Sequence, residues 1–123
     1  MGCCASGEES IAGSAVVALA RLHAIEGADI TQATTVSISR TIYRVSNSAV
    51  LSGPTSLVVA DTVFDTLQTA VGWKADVIGY NFRDAISGAS LTTVGKIVLV
   101  YSLVDSDGLT SLYRIEHTVK AVV

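Results

Sequence analysis

The stretch KIVLVYSLVDSDGLTSLYRIEHTVKAV, Lys96 to Val122, decides the fold. Its first half, Lys96 to Val104, is apolar on both faces of an extended chain. Ile97, Leu99, Tyr101 and Leu103 share one face, and Val98, Val100 and Val104 the other. A short run of this kind fits a central strand. The second half, Ser111 to Val122, alternates instead. Tyr113, Ile115, His117 and Val119 lie on one face, and Arg114, Glu116, Thr118 and Lys120 on the other. That period of two marks a half-buried strand. Between them, Asp105-Ser106-Asp107-Gly108 is a tight turn, because glycine reaches positive φ without a Cβ clash. The chain therefore closes on a long antiparallel hairpin.

Upstream of the hairpin the same reasoning yields further strands. Ser14 to His23 has Val16, Ala18, Ala20 and Leu22 on one face and Val17, Leu19 and Arg21 on the other. Thr35 to Val45 places Val36, Ile38 and Ile42 together, with Thr35, Ser37, Ser39 and Thr41 opposite. Arg40 and Arg44 fall on the apolar register of that strand. This predicts a bulge, a snorkelling strand end or an interface, so the two arginines are interface candidates. Gly53-Pro54 is read as a break between a short edge strand, Ala49 to Leu51, and another strand, Ser56 to Ala60. Thr62 to Trp73 spaces Val63, Phe64, Leu67 and Val71 almost helically, which predicts a helical turn across one end, with Trp73 plugging the core beneath it. Val77 to Arg83 is a further strand. About seven short strands with turn signals between them make an all-β sandwich over residues 14–123.

Residues 1–13 have no periodicity and are small and polar, so they are expected to form a flexible, extended N-terminal arm that orders against a neighbour. Glu8, Glu9 and Ile11 are its candidate contact residues. The start, Met1-Gly2-Cys3-Cys4-Ala5-Ser6, also fits an acylation pattern, although Glu8 and Glu9 stand where an anionic membrane favours lysine and arginine.

Composition narrows the function. Only 15% of the residues are charged, against about 25% in an ordinary soluble domain. So small a charged surface points either to burial in an assembly or to a compact β-domain whose surface is serine and threonine. The eight basic residues stand singly, and formal net charge is −3, which gives nucleic acid no electrostatic footing. The longest apolar run, Ala15 to Ala20, is far short of a membrane span of about 20 residues. Neighbouring Cys3 and Cys4 are too close to suit a disulfide with each other. His23 and His117 are too far apart in sequence for a zinc pair. Asp105, Asp107 and Glu116 follow calcium-loop spacing, but Leu109 and Thr110 occupy positions that need an oxygen ligand and glycine. Asp61 and Asp65 read as turn or cap residues. With no nucleophile motif, metal set or phosphate loop, the expectation is a protein without catalytic residues, metal or cofactor.

Val63-Phe64-Asp65-Thr66-Leu67-Gln68-Thr69, followed by Trp73, Gly79-Tyr80-Asn81-Phe82-Arg83 and the Asp107-Gly108 hairpin, carries a family resemblance. Ala28-Asp29-Ile30 ahead of the strand Thr35 to Val45 adds to it. The order resembles small phage-type structural proteins built on an immunoglobulin-like sandwich. It is similar in layout to the N-terminal domain of phage baseplate upper proteins, over about Ala15 to Val122. The resemblance implies an immunoglobulin-like antiparallel sandwich that serves as a virion part, either capsid decoration (cement) or tail and fibre attachment. Its partners would be other virion proteins and further copies of itself, met in the virion after assembly in the host cytoplasm. The alternatives are a lipid-anchored interaction module and a carbohydrate-binding sandwich, the latter requiring an exposed aromatic platform.

Overall fold

The computed structural model describes the backbone of residues 2–6 and, in full, residues 9–23, 28–69, 73 and 77–122. Among the described residues nine strands form two facing sheets. In chain order they are β1 (Gly2–Ser6), β2 (Glu9–Ile11), β3 (Val16–Leu22), β4 (Thr35–Arg44), β5 (Val50–Leu57), β6 (Val63–Gln68), β7 (Tyr80–Ile86), β8 (Gly95–Asp105) and β9 (Thr110–Lys120), with one short helix, α1 (Val59–Thr62), before β6. One sheet has the order β1-β3-β7-β6, and the other β2-β9-β8-β4-β5. Among the described residues no helix is long and apolar enough to cross a membrane.

Lettering the strands in sequence makes the architecture plain. With β1 as A, β3 as B, β4 as C, β5 as C′ and β6 to β9 as D to G, one sheet is A-B-E-D and the other G-F-C-C′. That is the order of an immunoglobulin-like sandwich with a C′ strand added. The additional β2 lies parallel to β9 on the G edge, at Glu9↔Thr118, Ser10↔Val119 and Ile11↔Lys120.

The hairpin β8–β9 is the centre of the larger sheet. It pairs in unbroken register from Gly95↔Val119 to Val104↔Thr110. Asp105 makes its turn rigid: the carboxylate Oδ1 accepts from the backbone N–H of Asp107 and of Leu109, both at 2.9 Å. The expected faces are the observed ones. Ile97, Leu99, Tyr101, Leu103, Tyr113, Ile115 and Val119 are buried, and they meet Val16, Ala18, Ala20, Leu22, Val63, Phe82 and Ile86 from the opposite sheet. Each fully buried side chain of this size contributes about 1.5–3 kcal/mol relative to exposure, so this facing layer is the main driving force for closure of the sandwich.

Four local expectations are corrected. Val36 is 63% exposed and Thr35 buried, because the pairing slips between Thr35↔Asp105 and Ser37↔Val104. The one extra residue turns Val36 outward, as a bulge does. Gly53-Pro54 does not break the chain. It sits inside a single edge strand, β5, where a proline costs no ladder hydrogen bond if its nitrogen faces outward. Gly53 has φ +95° there, and a Cβ would collide with the Arg40 carbonyl oxygen, so only glycine suits the crossing. Val63–Gln68 is a strand rather than a helical turn; the helix is shorter and earlier, at Val59–Thr62. Trp73 joins Leu19 and Tyr80 in a small cluster apart from the main core, so it covers that side of the domain rather than plugging the interior.

The N-terminal segment also differs from a flexible arm. It is extended, but it pairs within its own domain: β1 runs antiparallel to β3, from Gly2↔Leu22 to Ser6↔Leu19, and β2 joins β9. One continuous segment thus supplies the outer strand of both sheets on the same side. β3 to β9 number seven but are not the seven expected, since the two strands expected on either side of Gly53-Pro54 merge into β5 and Val63–Gln68 is the added one; the segment before them contributes β1 and β2.

Candidate interaction surface

Arg40 lies on the inner face of β4, as its register foretells, yet it is 7% exposed and no surface residue. Its Nη1 meets Asp84 Oδ2 at 2.6 Å. Asp84 is on β7, across the sandwich, and the same oxygen accepts the Tyr101 hydroxyl from β8 at 2.7 Å. The three residues bridge the two sheets through the core, with Phe82 edge-on to Tyr101 at a 4.8 Å centroid distance. Antibody domains tie strands B and F with a disulfide. Here B (VVALARL) and F (GKIVLVYSLVD) carry no cysteine, and a buried ion pair spans the gap. This corrects Arg40 as an interface candidate: its charge is spent inside. Arg44, half-buried at the end of the same face, has its Nε buried without a hydrogen-bond partner.

The Tyr101 hydroxyl titrates far above the ordinary tyrosine range, first because burial disfavours the phenolate and then because Asp84 is negatively charged and accepts its proton, with Arg40 opposing. A raised folded-state pKa gives stability that is complete below the unfolded value of about 10 and is lost as pH climbs above it. Tyr101 is therefore expected to stay protonated in the native protein and to ionise only with alkaline unfolding. Absorbance at 295 nm checks this: Tyr101→Phe should remove one late-ionising phenol.

Glu9 and Ile11, expected to contact a neighbouring subunit, lie on β2 and pair with β9 of their own domain. Glu9, on β2, pairs with Lys120 at 3.0 Å, and Ile11 is 51% exposed. Glu8 lies outside the described residues. Asp65 Oδ1 accepts from Gln32 N–H at 2.8 Å, a loop-holding role. His23 Nδ1 is 3.0 Å from Asp29, and His117 shares a 2.8 Å hydrogen bond with Ser10. Among the described residues no three acidic, histidine or cysteine side chains converge on a metal position. A cavity of about 210 Å³ opens beside the Asp105 turn, with Ile30, Leu103 and Tyr113 as its apolar lining and Asp29, Asp105 and Asp107 as its carboxylates. The carboxylates are already engaged in part, Asp29 by His23 and Asp105 by its own turn. Tyr113 donates to the His23 carbonyl at 2.7 Å, and burial raises its pKa first, offset by Ser111 and reinforced by Asp105.

Sequence reasoning missed Asn81. It is 1% exposed, and its amide closes both ways onto Leu22, accepting from the N–H at 2.8 Å and donating to the carbonyl at 2.9 Å. An asparagine between two aromatic residues, Tyr80 and Phe82, was the available signal, since a buried amide needs partners.

The surface that stands out is the outer face of the larger sheet. Register aligns Ser39, Ser102 and Leu112 in one row, Thr41, Val100 and Arg114 in the next, and Tyr43, Val98 and Glu116 in a third. Val50 and Ser56 of β5 continue it beside Tyr43 and Ser39. Across β5, β4 and β8 between Val98 and Val104 this face carries no charge. The nearest charges are Lys96 at the start of β8 and, on β9, Arg114 and Glu116, which pair with each other at 3.2 Å. Leu112 and Val50 are 59% and 56% exposed. Aromatic side chains do not build a sugar-stacking platform: Trp73, Tyr80, Phe82, Tyr101 and Tyr113 are buried, and Tyr43 and Phe64 half-buried.

The fold and this surface define an immunoglobulin-like sandwich whose larger sheet has no charged residue on the outer face of β5, β4 and β8 between Val98 and Val104. No family model, no curated protein and no solved structure matches the chain.

Proposed function

We propose that this chain is a non-enzymatic structural subunit that works through protein–protein contacts, and that it is a virion component of the capsid-decoration or tail and fibre-attachment kind. The uncharged outer face of β5-β4-β8 carries the contact reading. Interfaces are depleted of charge at their centres, and exposed Val50 and Leu112 stand among the serines and threonines of this face. The small charged fraction of the whole chain supports the same reading. The virion assignment rests on the resemblance carried by Val63 to Thr69, Trp73 and Gly79 to Arg83.

The test is the composition of virus-like particles from cells that express the chain with its native neighbours. The expected result is a stoichiometric, multi-copy band that stays with particles through a density gradient. A chain that remains at the top of the gradient, free of particles, would remove the virion assignment.

A further inference from the structure

From the way charge is divided between the two ends of the sandwich we infer that copies of this chain dock head to tail, the acidic end of one receiving the basic end of the next. This goes beyond the sheet-face reading above and does not depend on it.

Strand register sorts the charges by end. Asp29, Asp61, Asp65, Asp105 and Asp107 stand where β4 begins and the β8–β9 turn lies. Gln32 ties the Asp65 carboxylate and the Ala60 carbonyl to the same loop. Among the described residues, no exposed lysine or arginine is on the loops that build this end; Arg21 is buried and donates to the Gly79 carbonyl at 3.1 Å. Arg44, Lys96 and Lys120 lie at the opposite end, where Arg44 pairs with Ile97 and Lys96 with Thr118. Lys120 is matched there by Glu9 at 3.0 Å. Arg44 and Lys96 have no ion pair among the described residues, and neither do the carboxylates of Asp61 and Asp107.

The unmatched charges cannot neutralise each other within one copy. Lys96 and Asp105 are at the two ends of β8, roughly 30 Å apart at about 3.3 Å per residue, and the screening length at physiological salt is about 8 Å. A two-fold contact through either end would set like charge on like. A heterologous contact, end to opposite end, sets opposite charges together. The acidic end also has the shape to receive a basic side chain. Its cavity of about 210 Å³ combines the apolar Ile30, Leu103 and Tyr113 with the carboxylates of Asp29, Asp105 and Asp107. Lysine buries an aliphatic stem while its charged head stays among polar groups, which suits both parts of that lining. Lys96 is exposed, with Val45 and Val94 beside it, 41% and 56% exposed, and the Val45 N–H donates to its carbonyl at 3.1 Å. A metal ion is the poorer occupant, since among the described residues no three acidic, histidine or cysteine side chains converge.

Sedimentation velocity is measured on the full chain between about 0.05 and 1 M salt. At low salt it is repeated on Lys96→Glu, on Asp107→Lys and on an equimolar mixture of the two, with circular dichroism to confirm that each is folded. The expected result is wild-type oligomers that lengthen with protein concentration and fall to monomer at high salt. Each variant alone should associate at least tenfold more weakly. The mixture should regain the wild-type distribution, because the introduced glutamate meets the introduced lysine at one contact and the native pair is kept at the next. A wild-type monomer at high micromolar concentration in low salt, a species that stops at two copies, or oligomers indifferent to salt and to both substitutions would overturn the docking. The virion assignment fails separately. Oligomers that follow the charge pattern but never enter particles leave the docking intact and remove that assignment. A wild-type monomer that enters particles does the reverse.

Discussion

Asp84→Ala is expected to cost about 3–5 kcal/mol of folding stability, the range for breaking a buried ion pair from one side. The loss comes mainly from what remains. The Arg40 guanidinium, 7% exposed, would keep its charge inside the sandwich with its carboxylate gone, and the Tyr101 hydroxyl would lose its acceptor. With total stability of a domain this size at about 5–15 kcal/mol, the variant stands near the edge of folding, so Asp84→Asn serves as the milder test. Urea denaturation followed by tryptophan fluorescence measures both. The double variant Arg40→Leu with Asp84→Leu is expected to recover most of the loss, because a buried pair replaced by apolar groups is often neutral. If Asp84→Asn unfolds within about 1 kcal/mol of the native chain, the bridge is not what joins the sheets.

Removing residues 2–13 has the second largest expected effect. Read from sequence, such a truncation leaves a folded domain and abolishes particle incorporation. The structure predicts more. The segment provides seven strand-paired positions, four on β3 and three on β9, together with the Ser10 partner of buried His117 and the Ala12 N–H bond to the Lys120 carbonyl at 2.8 Å. At about 0.5–1.5 kcal/mol net for each hydrogen bond, the loss is roughly 3 kcal/mol or more. Two newly bare edges, β3 and β9, would also template intermolecular pairing. Amide hydrogen exchange on the truncated chain should show lost protection confined first to Val16–Leu22 and Thr110–Lys120, with aggregation at concentrations where the full chain remains soluble. Unchanged protection on both strands would mean that the segment only rests on the domain.

The alternation in Ser111 to Val122 was legible because period two is local: each residue's face follows from its neighbours, and the core of the sandwich needs such a face. The inward placement of Arg40 was legible in the same way, yet its role was not. Its partner lies 44 residues later on the opposite sheet, and nothing in either strand's own pattern names the other. Asp84 was visible only as one aspartate among several. The strand Val63–Gln68 was misread because its spacing is nearly helical, while its pairing with β7 skips from Val63↔Phe82 to Gln68↔Tyr80. An irregular edge strand leaves no clean period to find.

By itself the sequence determined that this is an all-β protein closing on the β8–β9 hairpin, which residues of that hairpin face inward, and that the chain has few charges to show to water. These follow from short-range rules of pleat and turn. Only the tertiary structure decided that residues 2–13 complete both sheets, that Arg40, Asp84 and Tyr101 join them, and that the uncharged positions of β5, β4 and β8 align into one face. Each of those depends on strand register and on sheets meeting across the core, where residues far apart in the chain are brought within a few ångströms.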